Sequence, residues 1–425
     1  MTLGWLAIVR LGLVQMCLGA IVVLTTSTLN RLMVVELALP AVLPGLLVAL
    51  HYGIQITRPN WGYLSDQGGH RTRWIIGGMI VLGAGAFIAA LAIPLFANSF
   101  LIGLGVSIVA YALIGLGVGA SGTSLLALLA TATAPRRRAA AATITWLMMI
   151  FGIAVTAATV GSFLDPYSHG RLLRIVAIVV VAAILLTSLA VVGIERGVVA
   201  RPEPEKMPFL EGLAEIWAER DARLFTMFVF LSMTAYFMQE LILEPYAGLV
   251  FGFAPGESTQ LSGAQNGGVF IGMLLVGIAA TGLRLGSLRA WVIAGCLGSA
   301  AALSIISVIG PMGIAILVPA TIALGFFNGM FAVAAIGSMM ALAGQGREAR
   351  EGTRMGLWGA AQAIAAGFGG LVGAAAVDLL RQVTDTPMAF GSVFLAEAIL
   401  FVIAALMAAR IMQNRVDMPA AVPGE

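Results

Sequence analysis

The sequence has very little charge. Only 10% of its 425 residues are Asp, Glu, Lys or Arg, whereas 60% are hydrophobic. A soluble domain carries about 25% charged residues, because its surface faces water. A chain this apolar cannot cover itself with polar groups, so lipid must be the solvent for much of its surface. The composition therefore excludes an ordinary soluble domain and predicts an integral membrane protein.

Cysteine and lysine are almost absent, and catalytic patterns are missing. Cys17 and Cys296, the two cysteines, lie within apolar runs without metal-ligand spacing, and we interpret both as buried thiols. Lys206 is the single lysine, and a formal net charge of +3 is too small to indicate nucleic-acid binding. The sequence contains no nucleophile with a base and an orienting group, and no phosphate-binding loop. We therefore predict that the protein is not an enzyme.

Long apolar runs make up most of the chain. A helix needs about 20 apolar residues to cross the hydrocarbon core of a bilayer. Twelve segments are predicted on this basis. They lie near residues 7–29, 40–58, 74–95, 100–132, 140–164, 172–194, 224–244, 259–281, 291–310, 313–343, 356–380 and 389–411.

The basic residues indicate how these segments are oriented. Cytoplasmic loops of membrane proteins carry an excess of Lys and Arg. If the N-terminus is cytoplasmic, seventeen of the 23 cations fall in cytoplasmic connections or the C-terminal tail, and only four fall on the opposite side. The distribution therefore predicts that both termini are cytoplasmic.

One long polar connection divides the segments into two sets of six. We predict an N-terminal six-helix bundle over residues 1–194, a cytoplasmic linker over 195–223, a C-terminal six-helix bundle over 224–412 and a cytoplasmic tail over 413–425. Part of the linker has apolar residues on one helical face, which suits a helix lying on the membrane surface. This connection is either a plain linker or a platform for a partner.

The two halves share landmarks at matching positions. Each copy has an arginine, a tryptophan eight residues later, and an aspartate 19 or 20 residues after the tryptophan. The copies are Arg138, Trp146 and Asp165, and then Arg350, Trp358 and Asp378. The pattern predicts a duplicated six-helix unit. Two such halves pack around a central site in many carriers.

The loop after the second segment reads Gly62-Tyr-Leu-Ser-Asp66-Gln-Gly-Gly69-His-Arg71. Glycine permits close packing and tight turns, and Asp66 is suited to capping a helix terminus. The loop resembles the signature loop of the major facilitator superfamily, although a solvated turn explains it equally well in isolation. The resemblance implies an all-α fold of that type. It also implies a cytoplasmic conformational latch, formed by Gly62, Asp66, Gly69, Arg71, Arg136, Arg137 and Arg138.

A denser block of distinctive sequence lies between residues 10 and 80. It contains Arg10-Leu-Gly-Leu-Val-Gln15, Leu24-Thr-Thr-Ser-Thr-Leu-Asn-Arg31, Val35-Glu-Leu-Ala-Leu-Pro-Ala41, Leu43-Pro-Gly-Leu-Leu-Val-Ala-Leu-His-Tyr52 and Arg58-Pro-Asn-Trp-Gly-Tyr63. These residues resemble the PucC/LhaA family, also called the bacteriochlorophyll delivery family. The resemblance implies a light-harvesting complex assembly factor in the intracytoplasmic photosynthetic inner membrane of a bacterium. Such a factor supplies or shields bacteriochlorophyll while antenna subunits insert.

The resemblance also implies the partners, namely light-harvesting antenna subunits or the reaction-centre core complex, bacteriochlorophyll bound transiently, and membrane lipid. The residues agree with a lipophilic ligand. Proton-coupled carriers usually need buried carboxylates, yet segments three to five have no Asp, Glu, His or Lys well inside them. An ordinary facilitator that moves a lipophilic small molecule is the alternative. Only the assembly factor should co-purify with antenna subunits.

Polar residues inside the apolar segments are the candidate site residues. His51 either ligates the magnesium of a bacteriochlorophyll, which would be the one metal contact, or bonds a backbone carbonyl or a neighbouring helix. Gln239 and Glu240 are further pigment-binding candidates, because seventh helices often face the central cavity. Glu244 precedes Pro245 and is expected at the membrane interface.

Two further sets of charges complete the candidates. Arg31 and Glu36 lie near the periplasmic end of the first segment. They either contact a partner helix or form an ordinary ion pair at the membrane edge. Glu397 is the one acidic group in the last segment, so we expect it to face protein or an arginine and not lipid.

Overall fold

The computed structural model describes residues 3–58, 61, 70–133, 138–195, 217, 220–283, 285–343 and 351–411, and these residues form twelve helices. The helices are α1 (Trp5–Glu36), α2 (Val42–Ile54), α3 (Arg71–Asn98), α4 (Phe100–Ala132), α5 (Arg138–Leu164), α6 (His169–Val191), α7 (Arg220–Phe251), α8 (Pro255–Val276), α9 (Leu288–Met312), α10 (Leu317–Ala343), α11 (Glu351–Leu380) and α12 (Thr386–Ile411). The predicted all-α membrane fold is confirmed. Most of the predicted linker, and all of the tail, lie outside the described residues.

Eleven of the twelve helices are long and apolar enough to cross a membrane. The exception is α2, which has 13 residues and continues through one 3-10 turn, Gln55–Thr57. A 13-residue helix rises about 20 Å, whereas the hydrocarbon core is about 30 Å thick. The described part of the second predicted segment is therefore helical but shorter than a full span.

The first helix runs past its predicted end at residue 29 and continues to Glu36. Two π-helical stretches, Leu24–Thr28 and Leu32–Glu36, flank a short α-helical stretch. Single π-turns of this kind occur frequently at functional sites. Because the helix continues, Asn30 and Arg31 lie inside the bundle, where they are buried, and not at its edge.

The helices of the two halves pack in the same order. In the first half α1 packs on α5 and α6, α3 packs on α4 and α6, and α2 packs on α4. In the second half α7 packs on α11 and α12, α9 packs on α10 and α12, and α8 packs on α10. The halves meet mainly through α2 with α11 and α5 with α8. Each of these contacts has a counterpart six helices further along the chain.

Glycine allows the closest of these helix contacts. A Cβ atom on Gly272 in α8 would lie 2.0 Å from the carbonyl oxygen of Phe326 in α10. A Cβ atom on Gly329 in α10 would lie 2.0 Å from the carbonyl oxygen of Val269 in α8. Small residues let membrane helices approach to backbone contact, and here they set the spacing between α8 and α10.

Two aspartates join the halves at one end of the bundle. Asp165, which follows α5, accepts a hydrogen bond at 3.0 Å from the amide of Gly256 in the first turn of α8. Asp378, near the end of α11, accepts hydrogen bonds from the amides of Ala41 and Val42 at 3.0 and 2.7 Å. A carboxylate is stabilised by a helix N-terminus. Each half therefore caps a helix of the other half with one of the repeated aspartates.

Candidate functional site

A buried carboxylate connects α7, α8 and α1. Glu244 on α7 is 1% exposed, and the hydroxyl of Ser262 on α8 donates to its Oε1 at 2.5 Å. The hydroxyl of Ser27 on α1 lies 3.4 Å from that of Ser262. We expected Glu244 at the membrane interface; the structure buries its side chain between helices, because α7 continues through Pro245 to Phe251. Position 244 is therefore inside the bundle.

Polar groups of α1 make further contacts with the second half. The hydroxyls of Thr28 on α1 and Thr259 on α8 lie 3.2 Å apart. Asn30 Nδ2 donates to the backbone oxygen of Leu241 on α7 at 2.7 Å. These side chains lie on or beside the π-helical stretches of α1. The deformed part of α1 is therefore hydrogen-bonded directly to the opposite half.

A second carboxylate, Glu240, lies one turn before Glu244 and beside a group of aromatic rings. Tyr236 precedes Glu240 by one helical turn on α7, and Tyr52 on α2 and Thr26 on α1 also lie near its carboxyl group. The ring centroid of Phe237 is 6.0 Å from that of Tyr52 and 5.2 Å from that of Tyr236. We call Tyr52, Tyr236 and Phe237 the aromatic wall.

Gln239 is buried as well, with 1% of its surface exposed. Its side-chain oxygen has no hydrogen-bond partner among the described residues. Buried polar atoms of this kind usually have a partner. Gln239 thus presents an unsatisfied acceptor in the same part of α7 as Glu240.

His51 belongs to a row of polar side chains on α2. It is buried, with 2% of its surface exposed, whereas Leu46 on the same helix is exposed. Its Nε2 is 3.1 Å from Nε2 of Gln55, and Arg58 donates a hydrogen bond to Oε1 of the same glutamine. Within the described ranges, Nδ1 of His51 has no hydrogen-bond partner. The partner of the histidine is therefore a side chain of its own helix.

Arg31 and Glu36 form the ion pair that was one of their two predicted interpretations. Their Nη1 and Oε1 atoms are 2.5 Å apart, and Arg31 Nη2 also donates to the backbone oxygen of Phe253 at 2.7 Å. The Arg31 side chain is 2% exposed, whereas that of Glu36 is 38% exposed. In this arrangement Glu36 is the member of the pair that a partner can reach.

Of the seven residues in the predicted latch, Arg71 and Arg138 lie among the described residues. Arg71 begins α3, and its backbone amide donates to Glu195 Oε1 at 2.8 Å, while the Thr72 hydroxyl donates to Glu195 Oε2 at 2.5 Å. Glu195 therefore connects the chain after α6 to the start of α3. Arg138 is the first residue of α5. Five members lie outside the described residues: Gly62, Asp66, Gly69, Arg136 and Arg137.

Several residues of the site were not anticipated from the sequence. Gln55 and Arg58 follow His51 by four and seven residues, which places all three side chains on one face of a helix. This spacing could have identified them as neighbours of His51. Nothing in the sequence distinguishes Ser262 from other serines in apolar segments. Its role depends on which helix packs against α7.

Glu397 is the acidic residue in the middle of α12. Glu397 is fully buried, so it faces protein as expected. Neither of its carboxyl oxygens has a hydrogen-bond partner in the part of the chain that the structure describes. Within that part, no group of three or more His, Cys, Asp and Glu side chains is placed to hold a metal ion.

The fold defines the class of protein. The chain is similar to a bacterial homologue of the human lysosomal transporter Spinster in an inward-facing, unoccupied conformation, with a TM-score of 0.71 and 16% identity over 97% of this chain and 98% of that one. It is also similar to a POT peptide transporter, with a TM-score of 0.70 and 15% identity over 96% of each chain. The protein is thus a multi-pass membrane protein with the major-facilitator-type fold.

Sequence comparison identifies the family. The chain belongs to the PUCC protein family, whose model matches residues 28–416. It is 68% identical over 429 residues, 100% of both chains, to the bacteriochlorophyll synthase 44.5 kDa chain of Rhodobacter capsulatus. It is 28% identical over 393 residues to protein PucC of Cereibacter sphaeroides, covering 89% of this chain and 84% of that one. The predicted family membership is confirmed.

Proposed function

We propose that this protein is a light-harvesting complex assembly factor, which holds bacteriochlorophyll and passes it to antenna subunits as they insert into the photosynthetic membrane. The observation that carries the proposal is the 68% identity, over the whole chain, to a protein whose name refers to bacteriochlorophyll. The name of that relative also contains the word synthase, which would suggest an enzyme. We propose a handling role and not a catalytic one, because the chain shares its fold with transporters.

The centre of the bundle has features that suit a tetrapyrrole. The aromatic wall provides flat apolar faces against which a macrocycle packs well. His51 Nδ1 and Gln239 Oε1 are buried polar atoms that lack a partner among the described residues, and a ligand would satisfy them. Glu240 lies beside the wall. His51, Gln239 and Glu240 are therefore the proposed pigment-binding residues.

The proposed partners are antenna subunits or the reaction-centre core complex. With both termini in the cytoplasm, as the basic residues predict, the exposed carboxylate of Glu36 lies at the periplasmic side. It is available to a charged segment of an incoming antenna helix. At the opposite side, the loop from Gly62 to Arg71 and the three arginines that begin at Arg136 are the proposed conformational latch.

The test is an absorption spectrum of the protein purified mildly from photosynthetically grown cells, together with its co-purifying polypeptides. Near-infrared bacteriochlorophyll bands and antenna subunits are the expected result. A colourless protein that purifies alone would contradict the proposal.

Glu36→Gln should reduce the yield of co-purified antenna subunits. Glu257→Gln is the matched control, because Glu257 is exposed at the same end of the bundle and accepts a hydrogen bond from the amide of Ala254 at the start of its own helix.

A facilitator for a lipophilic small molecule is the second candidate. The whole-chain similarity to an inward-facing transporter favours it. Purified protein in liposomes without antenna subunits separates the two functions. Movement of a lipophilic compound across that membrane, by a protein that carries no pigment, would favour the facilitator.

A further inference from the structure

The row formed by His51, Gln55 and Arg58 determines the orientation of the glutamine amide. A guanidinium group has only N–H donors and no acceptor. Since Arg58 donates to Gln55, the atom it contacts must be the side-chain oxygen, Oε1. The amide nitrogen of Gln55 therefore points towards His51, whose Nε2 lies 3.1 Å away.

The orientation of the amide in turn determines the tautomer of His51. An amide nitrogen donates hydrogen bonds and does not accept them. His51 Nε2 must therefore be the acceptor, and in a neutral imidazole the proton is then on Nδ1. A doubly protonated ring would place two donors against each other and a positive charge near that of Arg58. The arrangement thus holds His51 neutral with Nδ1–H as its free donor.

This tautomer disagrees with ligation of magnesium by His51. A metal ligand needs an available lone pair on a ring nitrogen. The lone pair of Nε2 accepts the hydrogen bond from Gln55, and Nδ1 carries the proton. The same tautomer leaves the Nδ1–H group buried without an acceptor among the residues described. An oxygen acceptor of a bound ligand would satisfy that donor.

We propose that His51 binds the pigment as a hydrogen-bond donor to one of its carbonyl oxygens, with Gln55 and Arg58 as positioning residues. The inference rests on the proposed function. Bacteriochlorophyll carries acetyl, keto and ester carbonyl groups at the edge of its ring. The rings of His51 and Tyr52 lie edge to face with centroids 4.7 Å apart. A carbonyl oxygen at His51 would therefore place the macrocycle next to the aromatic wall.

The deciding experiment compares binding of bacteriochlorophyll a and of its magnesium-free counterpart, bacteriopheophytin a, to the purified full-length protein. Both pigments should bind with similar affinity, because the proposed contact does not involve the metal. In the wild type, one pigment carbonyl stretch should be lowered in the resonance Raman spectrum relative to the free pigment. Binding of the magnesium pigment alone would overturn the inference and leave the proposed function standing. Binding of neither pigment would overturn both.

Two variants test the tautomer directly. In Gln55→Glu, a carboxylate accepts hydrogen bonds from both Arg58 and His51, which moves the histidine proton to Nε2. The lowered carbonyl stretch should then return to its free value, as it should in His51→Leu. Loss of one neutral hydrogen bond corresponds to roughly a 3- to 10-fold weaker Kd. A lowered stretch that persists in both folded variants would contradict the proposal, and if either variant fails to fold, the comparison of the two pigments still decides.

Discussion

Asp378 accepts a hydrogen bond from the backbone amide of Val42 at 2.7 Å, so a carboxylate of the second half caps a helix of the first half. Asp165 makes the reciprocal contact with Gly256 at 3.0 Å. Helix N-termini carry partial positive charge, which stabilises both carboxylates. Rocking the halves apart at this end requires both contacts to break.

Asp378→Ala should therefore loosen this end of the bundle. Loss of a helix cap costs about 1 kcal/mol, and the distance distribution between spin labels at Ala38 and Val383 should broaden towards longer distances. Asp385→Ala is the matched control, because Asp385 caps α12 within its own half by accepting from the amide of Met388. An unchanged distance distribution in Asp378→Ala would show that this contact does not hold the halves together.

Ser262→Ala should destabilise the protein, because it removes the hydroxyl that donates to the buried carboxyl group of Glu244. Leaving a buried polar group without its partner costs about 1–3 kcal/mol. The free energy of unfolding in mixed micelles measures the effect. Ser304→Ala serves for comparison, since the Ser304 hydroxyl donates to the carbonyl of Ala300 on its own helix. Equal effects of the two substitutions would argue against a structural role for the Glu244 contact.

Gly272→Ala should disrupt the contact between α8 and α10. The added Cβ atom would lie 2.0 Å from the carbonyl oxygen of Phe326, so the helices must separate. Overpacking of this kind typically costs about 1–3 kcal/mol. Gly267→Ala on the same helix meets nothing within 4 Å and should leave the thermal midpoint unchanged or slightly raised. Similar midpoints for both variants would contradict the prediction.

Glu195→Ala should destabilise the first turn of α3. Glu195 accepts hydrogen bonds from the amides of Arg71 and Thr72 and from the Thr72 hydroxyl. Without these acceptors, amide hydrogen exchange in the first turn of α3 should accelerate, by roughly 5- to 30-fold for a cap worth about 1–2 kcal/mol. Exchange in the middle of α3 should not change. Uniform acceleration along the helix would instead indicate general loss of stability.

The fold was largely predictable from the sequence. In lipid the backbone must satisfy its own hydrogen bonds, so each apolar run of sufficient length has to form a helix. The hydropathy pattern also shows two sets of six segments. The repeated Asp165 and Asp378 mark equivalent places in the two halves. The sequence therefore specified twelve helical segments, and the structure forms a helix at each of them.

The site was only partly predictable, because its contacts depend on how helices pack and bend. His51 and Glu240 stand out in an apolar sequence, since a polar side chain is costly there. The sequence did not show that α1 continues through two π-helical stretches and buries Arg31, or that Ser262 faces Glu244. Composition and hydropathy thus determined the class of fold and the membrane solvent. Only the tertiary structure decided which polar groups meet, because hydrogen bonds between distant segments depend on helix register and rotation, which a hydropathy pattern does not encode.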